Sequence, residues 1–190
     1  MAVMIQKIGL YDSGLGGLTV WNELQSAYPF YDYIYVGDSA RAPFGDKNQN
    51  DLLAINHEII EFLRLKSIDA LVMACNTSCS LFFSYIQSHL SLPVYNLVSP
   101  ICNTISTISH RKRVSVIATS STIQSHIYRD FIKKTDASIQ VQEIACPEFV
   151  PFIETGQFNS NELKKWVSFY SDKIKAFKSD CLIYGCSHYP

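Results

Sequence analysis

Short apolar runs alternate along this chain with longer stretches in which apolar residues recur every three or four positions. The runs Lys7–Tyr11, Tyr33–Gly37, Ala70–Ala74, Val94–Leu97, Val114–Ala118, Gln140–Ile144 and Cys181–Tyr184 are rich in Val, Ile, Leu and Tyr. That composition and length predict buried strands. Between them, Asn50–Lys66 carries the clearest helical stripe, with Leu52, Ile55, Ile59 and Leu63 on one face and Phe62 beside it. Ser78–Leu90, Ile123–Lys134 and Asn161–Phe177 are further predicted helices. Regular alternation of strand and helix implies an α/β fold with mostly parallel strands. Pro100 and the Ser/Thr-rich stretch Ser99–Ser109 follow the fourth strand, and a second series begins near Arg113. The expected organisation is two α/β domains, 1–98 and 99–190.

The two halves share a pattern. Asp69-Ala-Leu-Val-Met-Ala-Cys75-Asn-Thr aligns with Asp180-Cys-Leu-Ile-Tyr-Gly-Cys186-Ser-His, each an aspartate, a strand, a small residue and then a cysteine. A fainter echo links Ile8-Gly-Leu-Tyr-Asp-Ser-Gly with Val114-Ser-Val-Ile-Ala-Thr-Ser at a similar offset. Related half-units would face one another across a cleft through equivalent strand ends. Two copies at this long period exclude a solenoid.

Ligands of open α/β sheets bind beyond the carboxyl ends of the strands. Four polar clusters fall there: Asp12-Ser-Gly-Leu-Gly-Gly17, Cys75-Asn-Thr-Ser78, Thr119-Ser-Ser-Thr122 and Cys186-Ser-His188. The first three each precede a predicted helix, whose free N–H groups favour an anion. The glycine-rich turn is neither G-x-G-x-x-G nor a P-loop, and its glycines alone read as a tight strand-to-helix turn. Asp12 could accept a hydrogen bond from a substrate ammonium or orient a base.

A lone cysteine at a strand end is usually a small buried hydrophobe. Cys75 and Cys186, at equivalent places in two half-units, read instead as paired reactive thiols whose pKa a helix terminus can lower. Zinc is the alternative, although Cys75-x-x-x-Cys79 and Cys186-x-His188 lack the paired short spacing of a structural site. Cys79, Cys102, Cys146 and Cys181 read as packing residues. His188 is the one histidine near a cysteine cluster. Glu154, after the apolar run Phe149–Ile153, is either a helix-terminal feature or a site residue.

Composition narrows the function classes. The 190 residues are 47% hydrophobic and carry 16 basic and 17 acidic side chains, for a net charge of −1. Such a chain has a core, and it lacks the basic stripe that nucleic acid or an anionic membrane would need. No apolar stretch is long enough to span a membrane. The first eleven residues hold one lysine and a short apolar run, so no export signal is expected and the cytoplasm is the predicted location. Six cysteines would then remain reduced. No predicted strand end presents a lysine for a pyridoxal phosphate Schiff base.

These residues resemble those of glutamate racemases, in the aspartate/glutamate racemase superfamily. The opening IGLYDSGLGGLTV, the segment Tyr35-Val-Gly-Asp-Ser-Ala-Arg-Ala-Pro-Phe-Gly45, the motifs Ala74-Cys-Asn-Thr-Ser78 and Gly185-Cys-Ser-His-Tyr-Pro190, and the stretch Cys146–Glu154 occur in the family's order. The resemblance implies flavodoxin-like half-domains with the active site between them. It implies cofactor-independent interconversion of L- and D-glutamate, without metal, nucleotide or pyridoxal phosphate, supplying D-glutamate for peptidoglycan. Cys75 and Cys186 would transfer the protons. Asp12, Ser13, Asn76, Thr77, Ser187 and His188 would bind substrate, with the backbone at Phe44 and Gly45, and with Thr119 and Thr122. Asp12 would tune Cys75, while Glu154 and His188 would tune Cys186. A homodimer is a further implication. Phe44 stands where the family usually has Tyr, and Ser187 where it usually has Thr. Family members generally continue beyond the second cysteine motif and return to the first half, so an apolar face there is expected to be open. Aspartate or hydantoin racemase, and a non-catalytic binding module, are the alternative readings.

Overall fold

The computed structural model describes residues 5–190. Two separate parallel sheets form. In the first, β1 (Lys7–Asp12) lies between β2 (Asp32–Gly37) and β3 (Ala70–Met73), with β4 (Val94–Asn96) outside β3. In the second, β5 (Arg113–Ala118) lies between β6 (Gln140–Ala145) and β7 (Cys181–Gly185). The central strands correspond: Leu10 pairs with Tyr35 and Val72, and Val116 pairs with Glu143 and Ile183. The repeat visible in sequence is therefore a repeat in topology, with β1 matched by β5, β2 by β6 and β3 by β7.

The repeated aspartate has a structural role at the strand's other end. Asp69 Oδ2 accepts from the backbone N–H groups of Gln6 and Lys7 at 2.9 Å each. Asp180 accepts from Arg111 N at 2.5 Å and Ser109 Oγ at 2.8 Å. Each carboxylate anchors the chain entering the central strand of its own sheet, while the cysteine motif is delivered at the far end.

Helix α1 (Leu18–Ala27) leads from β1 to β2, and Val20, Trp21 and Leu24 pack against Ile8, Leu10 and Val72. Helix α2 (Gln49–Leu65) buries Leu52, Ile55, Ile59 and Leu63, the stripe read from sequence. It is capped by Asn48, whose side chain accepts from Asp51 N at 2.9 Å. Helix α3 (Asn76–His89) starts directly after Cys75. One buried cluster runs from Leu71 and Met73 of the first sheet to Val114 and Ile183 of the second, so a continuous core joins the halves.

The Ser/Thr-rich stretch after β4 is helical. Helix α4 (Val98–Ile108) buries Val98, Cys102 and Ile105, a helical stripe hidden among hydroxyl residues. Thr104 and Thr107 satisfy their hydroxyls by donating to the carbonyls of Pro100 and Thr104. The helix expected over Ile123–Lys134 is two, α5 (Ser120–Gln124) and α6 (Ile127–Thr135), because His126 between them is left-handed at φ 56°. Helix α7 (Phe149–Glu154) and helix α8 (Asn161–Phe177) complete the second half. Ser160 caps α8 by accepting from Leu163 N at 3.1 Å, and Lys178 ends it in the left-handed region. Leu182 and Tyr184 on β7 are exposed, leaving an open apolar face between that strand and α4.

Candidate active site

The carboxyl ends of β1, β3, β5 and β7 converge on one narrow cavity. Its walls include Ser13, Phe44, Gly45, Cys75, Asn76, Thr77, Thr119, Cys186, Ser187 and His188, all selected from the sequence, together with Pro43 and Val150, which were not. The space they enclose is about 10 Å³, near the minimum that one water needs. Two catalytic candidates flank the cavity without lining it, Asp12 and Glu154.

Cys75 follows β3 and occupies the N-cap position of α3. Its Sγ donates to Ser13 Oγ at 3.6 Å. Helix termini lower a thiol pKa, but here the balance goes the other way. Burial first, then the neighbouring Asp12 carboxylate, hold the Cys75 thiol above its ordinary range, with the Ser78 N–H and the Ser13 hydroxyl offsetting only part. Cys186 follows β7 and is likewise raised, chiefly by burial, with the His188 backbone N–H acting against it. Both thiols are therefore protonated in this closed form, and the lowering expected from sequence is outweighed by desolvation. Cys102 and Cys146 are pushed up to about 12 by burial alone or chiefly by burial, consistent with packing roles.

Cys186 sits at the start of a polar chain. Its Sγ lies 3.7 Å from His188 Nδ1, and His188 Nε2 donates to Glu154 Oε1 at 2.5 Å. With the hydrogen on Nε2, the neutral ring leaves Nδ1 as an acceptor turned toward the thiol. Glu154 ends α7 and is over a third exposed, so the chain runs from the buried thiol toward solvent.

Asp12 is fully engaged. Oδ2 accepts from the N–H groups of Gly14 and Gly17 at 3.1 Å each, and Oδ1 accepts from Ser187 Oγ at 2.8 Å. The last bond crosses the cleft from the second cysteine motif to the first strand. The glycines between are required by proximity. A Cβ on Gly16 would collide with the Ser187 carbonyl, and one on Gly14 would meet Glu154 Oε1 at 3.2 Å and His188 Nε2 at 3.3 Å. The other half thus crowds Gly16 and Gly14, whereas Gly17 is hemmed in by Asp12, Tyr35 and Ala74 of its own half.

A triangle of hydroxyls closes the inner end. Thr77 Oγ1 lies 3.0 Å from Thr119 Oγ1 and 3.5 Å from Thr122 Oγ1, while Thr119 Oγ1 donates to Thr122 Oγ1 at 3.0 Å. Gly45, from the turn Phe44–Asp46, packs on Thr119, and its carbonyl accepts from Ser121 Oγ at 2.6 Å. Tyr128 was missed by the sequence reading, because its place on a helix gave no motif. Its hydroxyl donates to Asn76 Oδ1 at 2.5 Å. Among the described residues, no group of three or more His, Cys, Asp or Glu side chains is arranged to hold a metal ion, and no helix is long and apolar enough to cross a membrane.

The chain thus combines a two-fold repeated α/β fold with a cysteine at each equivalent strand end. Residues 20–190 match the family described as Asp/Glu/Hydantoin racemase, and the chain belongs to that family. A glutamate racemase of Sulfurihydrogenibium sp. (strain YO3AOP1) is 37% identical over 184 residues, covering 96% of this chain and 71% of the relative. A glutamate racemase of Streptococcus pneumoniae (strain Hungary19A-6) is 37% identical over 185 residues, covering 97% and 70%. The crystal structure of glutamate racemase from Francisella tularensis subsp. tularensis SCHU S4, solved with D-glutamate, matches with a TM-score of 0.87 at 32% identity, over 97% of this chain and 70% of that one.

Proposed function

We propose that this protein is a glutamate racemase that inverts the α-carbon by proton transfer between Cys75 and Cys186. The observation that carries the reading is that both cysteines, from equivalent strand ends of two related halves, line the same cavity. The similarity to glutamate racemases supports the substrate, and the shared cavity supports the two-cysteine route.

A thiolate of one cysteine takes the α-hydrogen, forming S–H as C–H breaks. The electron pair is left on the α-carbon and delocalises into the substrate carboxylate. The opposed cysteine gives its S–H proton to the other face and becomes the thiolate. The reverse reaction exchanges the roles. One thiol must therefore be ionised as substrate binds, although burial opposes it. On the Cys186 side, His188 Nδ1 takes the proton and Glu154 stabilises the imidazolium. On the Cys75 side, the neighbouring Asp12 carboxylate takes the thiol proton, and the Ser78 N–H and the Ser13 hydroxyl favour the anion left behind. The hydroxyl of Thr77 and the amide of Asn76, which line the cavity, are donors for the developing charge on the carboxylate, with Thr119 and Thr122 hydrogen-bonded to Thr77.

Glutamate does not fit in about 10 Å³, far below the roughly 300–1,000 Å³ of ordinary ligand pockets. Admission requires the walls of the cavity to move apart, and closure afterwards excludes water. The reading also includes a cytoplasmic protein, two domains meeting near residue 98, a homodimer, and D-glutamate made for peptidoglycan. The direct test is chiral assay of purified protein with L- and D-glutamate and with L- and D-aspartate, no cofactor added. Turnover of glutamate in both directions supports the proposal. Turnover of aspartate in its place assigns another activity of the same family.

A further inference from the structure

We propose that Tyr128 is a positioning residue that holds the Asn76 amide as a hydrogen-bond donor to substrate and ties together the two cysteine motifs. The inference rests on the reading of Cys75 and Cys186 as the proton-transfer pair. Tyr128 belongs to α6, in the second half, and does not line the cavity. It touches the segments that carry both cysteines. Its hydroxyl donates to Asn76 Oδ1, the residue after Cys75. Its ring edge lies against Gly185, the residue before Cys186, where an added Cβ would come within 3.0 Å of Tyr128 Cε2. The ring is 1% exposed, and its own backbone carbonyl faces Cys102 Sγ at 3.8 Å, so it has a fixed place between the halves.

The chemistry follows from the donor and acceptor count of an amide. A phenol donating to Oδ1 decides which way the Asn76 side chain faces. Nδ2 finds no acceptor among the described residues and is left for a ligand in the cavity that Asn76 lines. Without the hydroxyl, the amide loses the bond that selects this orientation and leaves Oδ1 without its donor, and the flipped amide presents an oxygen to the substrate carboxylate. Burial pushes the Tyr128 phenol well above its usual range, so it remains a donor throughout the working pH range.

Tyr128→Phe keeps the ring against Gly185 and removes only the hydroxyl. The expected outcome is a roughly tenfold fall in kcat/KM in an otherwise intact enzyme, shrinking to less than about twofold when the same change is made in Asn76→Ala protein. A merely structural role would lower kcat/KM by the same factor in both backgrounds, which would overturn the inference. The assay uses whichever of glutamate or aspartate the wild type racemises. Inactivity toward both counts against the proposed function itself. The side-chain amide resonances of Asn76 in ¹⁵N-labelled protein then decide the role of Tyr128 alone: a shift in Tyr128→Phe supports it, and unchanged resonances overturn it.

Discussion

His188 bridges Cys186 and Glu154, with Nδ1 3.7 Å from the thiol and Nε2 donating to the carboxylate at 2.5 Å. The imidazole can therefore receive the thiol proton while the carboxylate stabilises the charge that results. Glu154→Gln keeps the shape and removes the negative charge. Steady-state kinetics should show kcat/KM lower by about 10²-fold, within the range of a general acid–base contribution. The fall should be equal from L and from D substrate, because enantiomers have an equilibrium constant of one. A variant with unchanged kcat/KM would remove Glu154 from the mechanism.

Ser187 donates to a buried carboxylate across the cleft, at 2.8 Å from Asp12 Oδ1. Asp12 keeps its two backbone donors without it. Ser187→Ala should lower the unfolding free energy by about 1.5–3 kcal/mol, the usual range for a hydrogen bond to a charged group. Ser187→Thr retains the hydroxyl and should retain the stability, as denaturant unfolding of the two variants would show.

Gly16 meets the Ser187 backbone where no side chain has room. Gly16→Ala must hold the two loops apart or shift them. The expected signature is a KM raised about tenfold or more with a smaller change in Tm, since a misplacement of about 1 Å at a reacting site is costly. Loss of Tm with unchanged KM would mean that the contact serves folding alone.

Acid stability should depend on carboxylates at loop ends. Asp136 is lowered to about 2 by the Ser138 hydroxyl, then by Lys112 and the Ser138 N–H. Asp69 is also lowered, by the N–H groups of Gln6 and Lys7. A carboxylate whose pKa is lower in the folded state stabilises that state fully above its unfolded value. That contribution is lost as pH falls through the folded one. The Tm of wild type should therefore drop between about pH 4 and pH 2. The Tm gap between wild type and Asp136→Asn should narrow over the same interval. A gap that does not change with pH would contradict this assignment.

Much of this architecture is legible in the sequence because parallel strands buried on both faces leave plain apolar runs. That holds for β1, β3 and β5, whereas β2, β4, β6 and β7 are only partly buried and were placed by their Val, Ile, Leu and Tyr content; the α2 stripe was plain, and the Asp-to-Cys repeat disclosed the matching of β3 with β7. Helix α4 was hidden because Ser and Thr on its outer face obscure the spacing of Val98, Cys102 and Ile105. The break at His126 depends on one left-handed residue that no local pattern marks. At the site, residues in polar clusters at strand ends were found, whereas Tyr128 and Val150 reach it by tertiary packing. The upward shift of both thiols was not legible, because helix polarity is local and visible while desolvation depends on the whole enclosure. The crowding of Gly16 by Ser187 is a contact between residues far apart in the chain, so the glycines looked like a simple turn.

Two thiols acting on opposite faces of the substrate leave a signature in solvent deuterium. Wild type, Cys75→Ala and Cys186→Ala should be incubated with L-glutamate and separately with D-glutamate in D₂O, and the enantiomers and their α-deuterium content measured. Wild type is expected to form the opposite enantiomer carrying deuterium from either substrate, while each folded variant forms none. Racemisation near the wild-type rate by either variant, or a folded wild type that leaves both enantiomers unchanged, would contradict the two-thiol scheme.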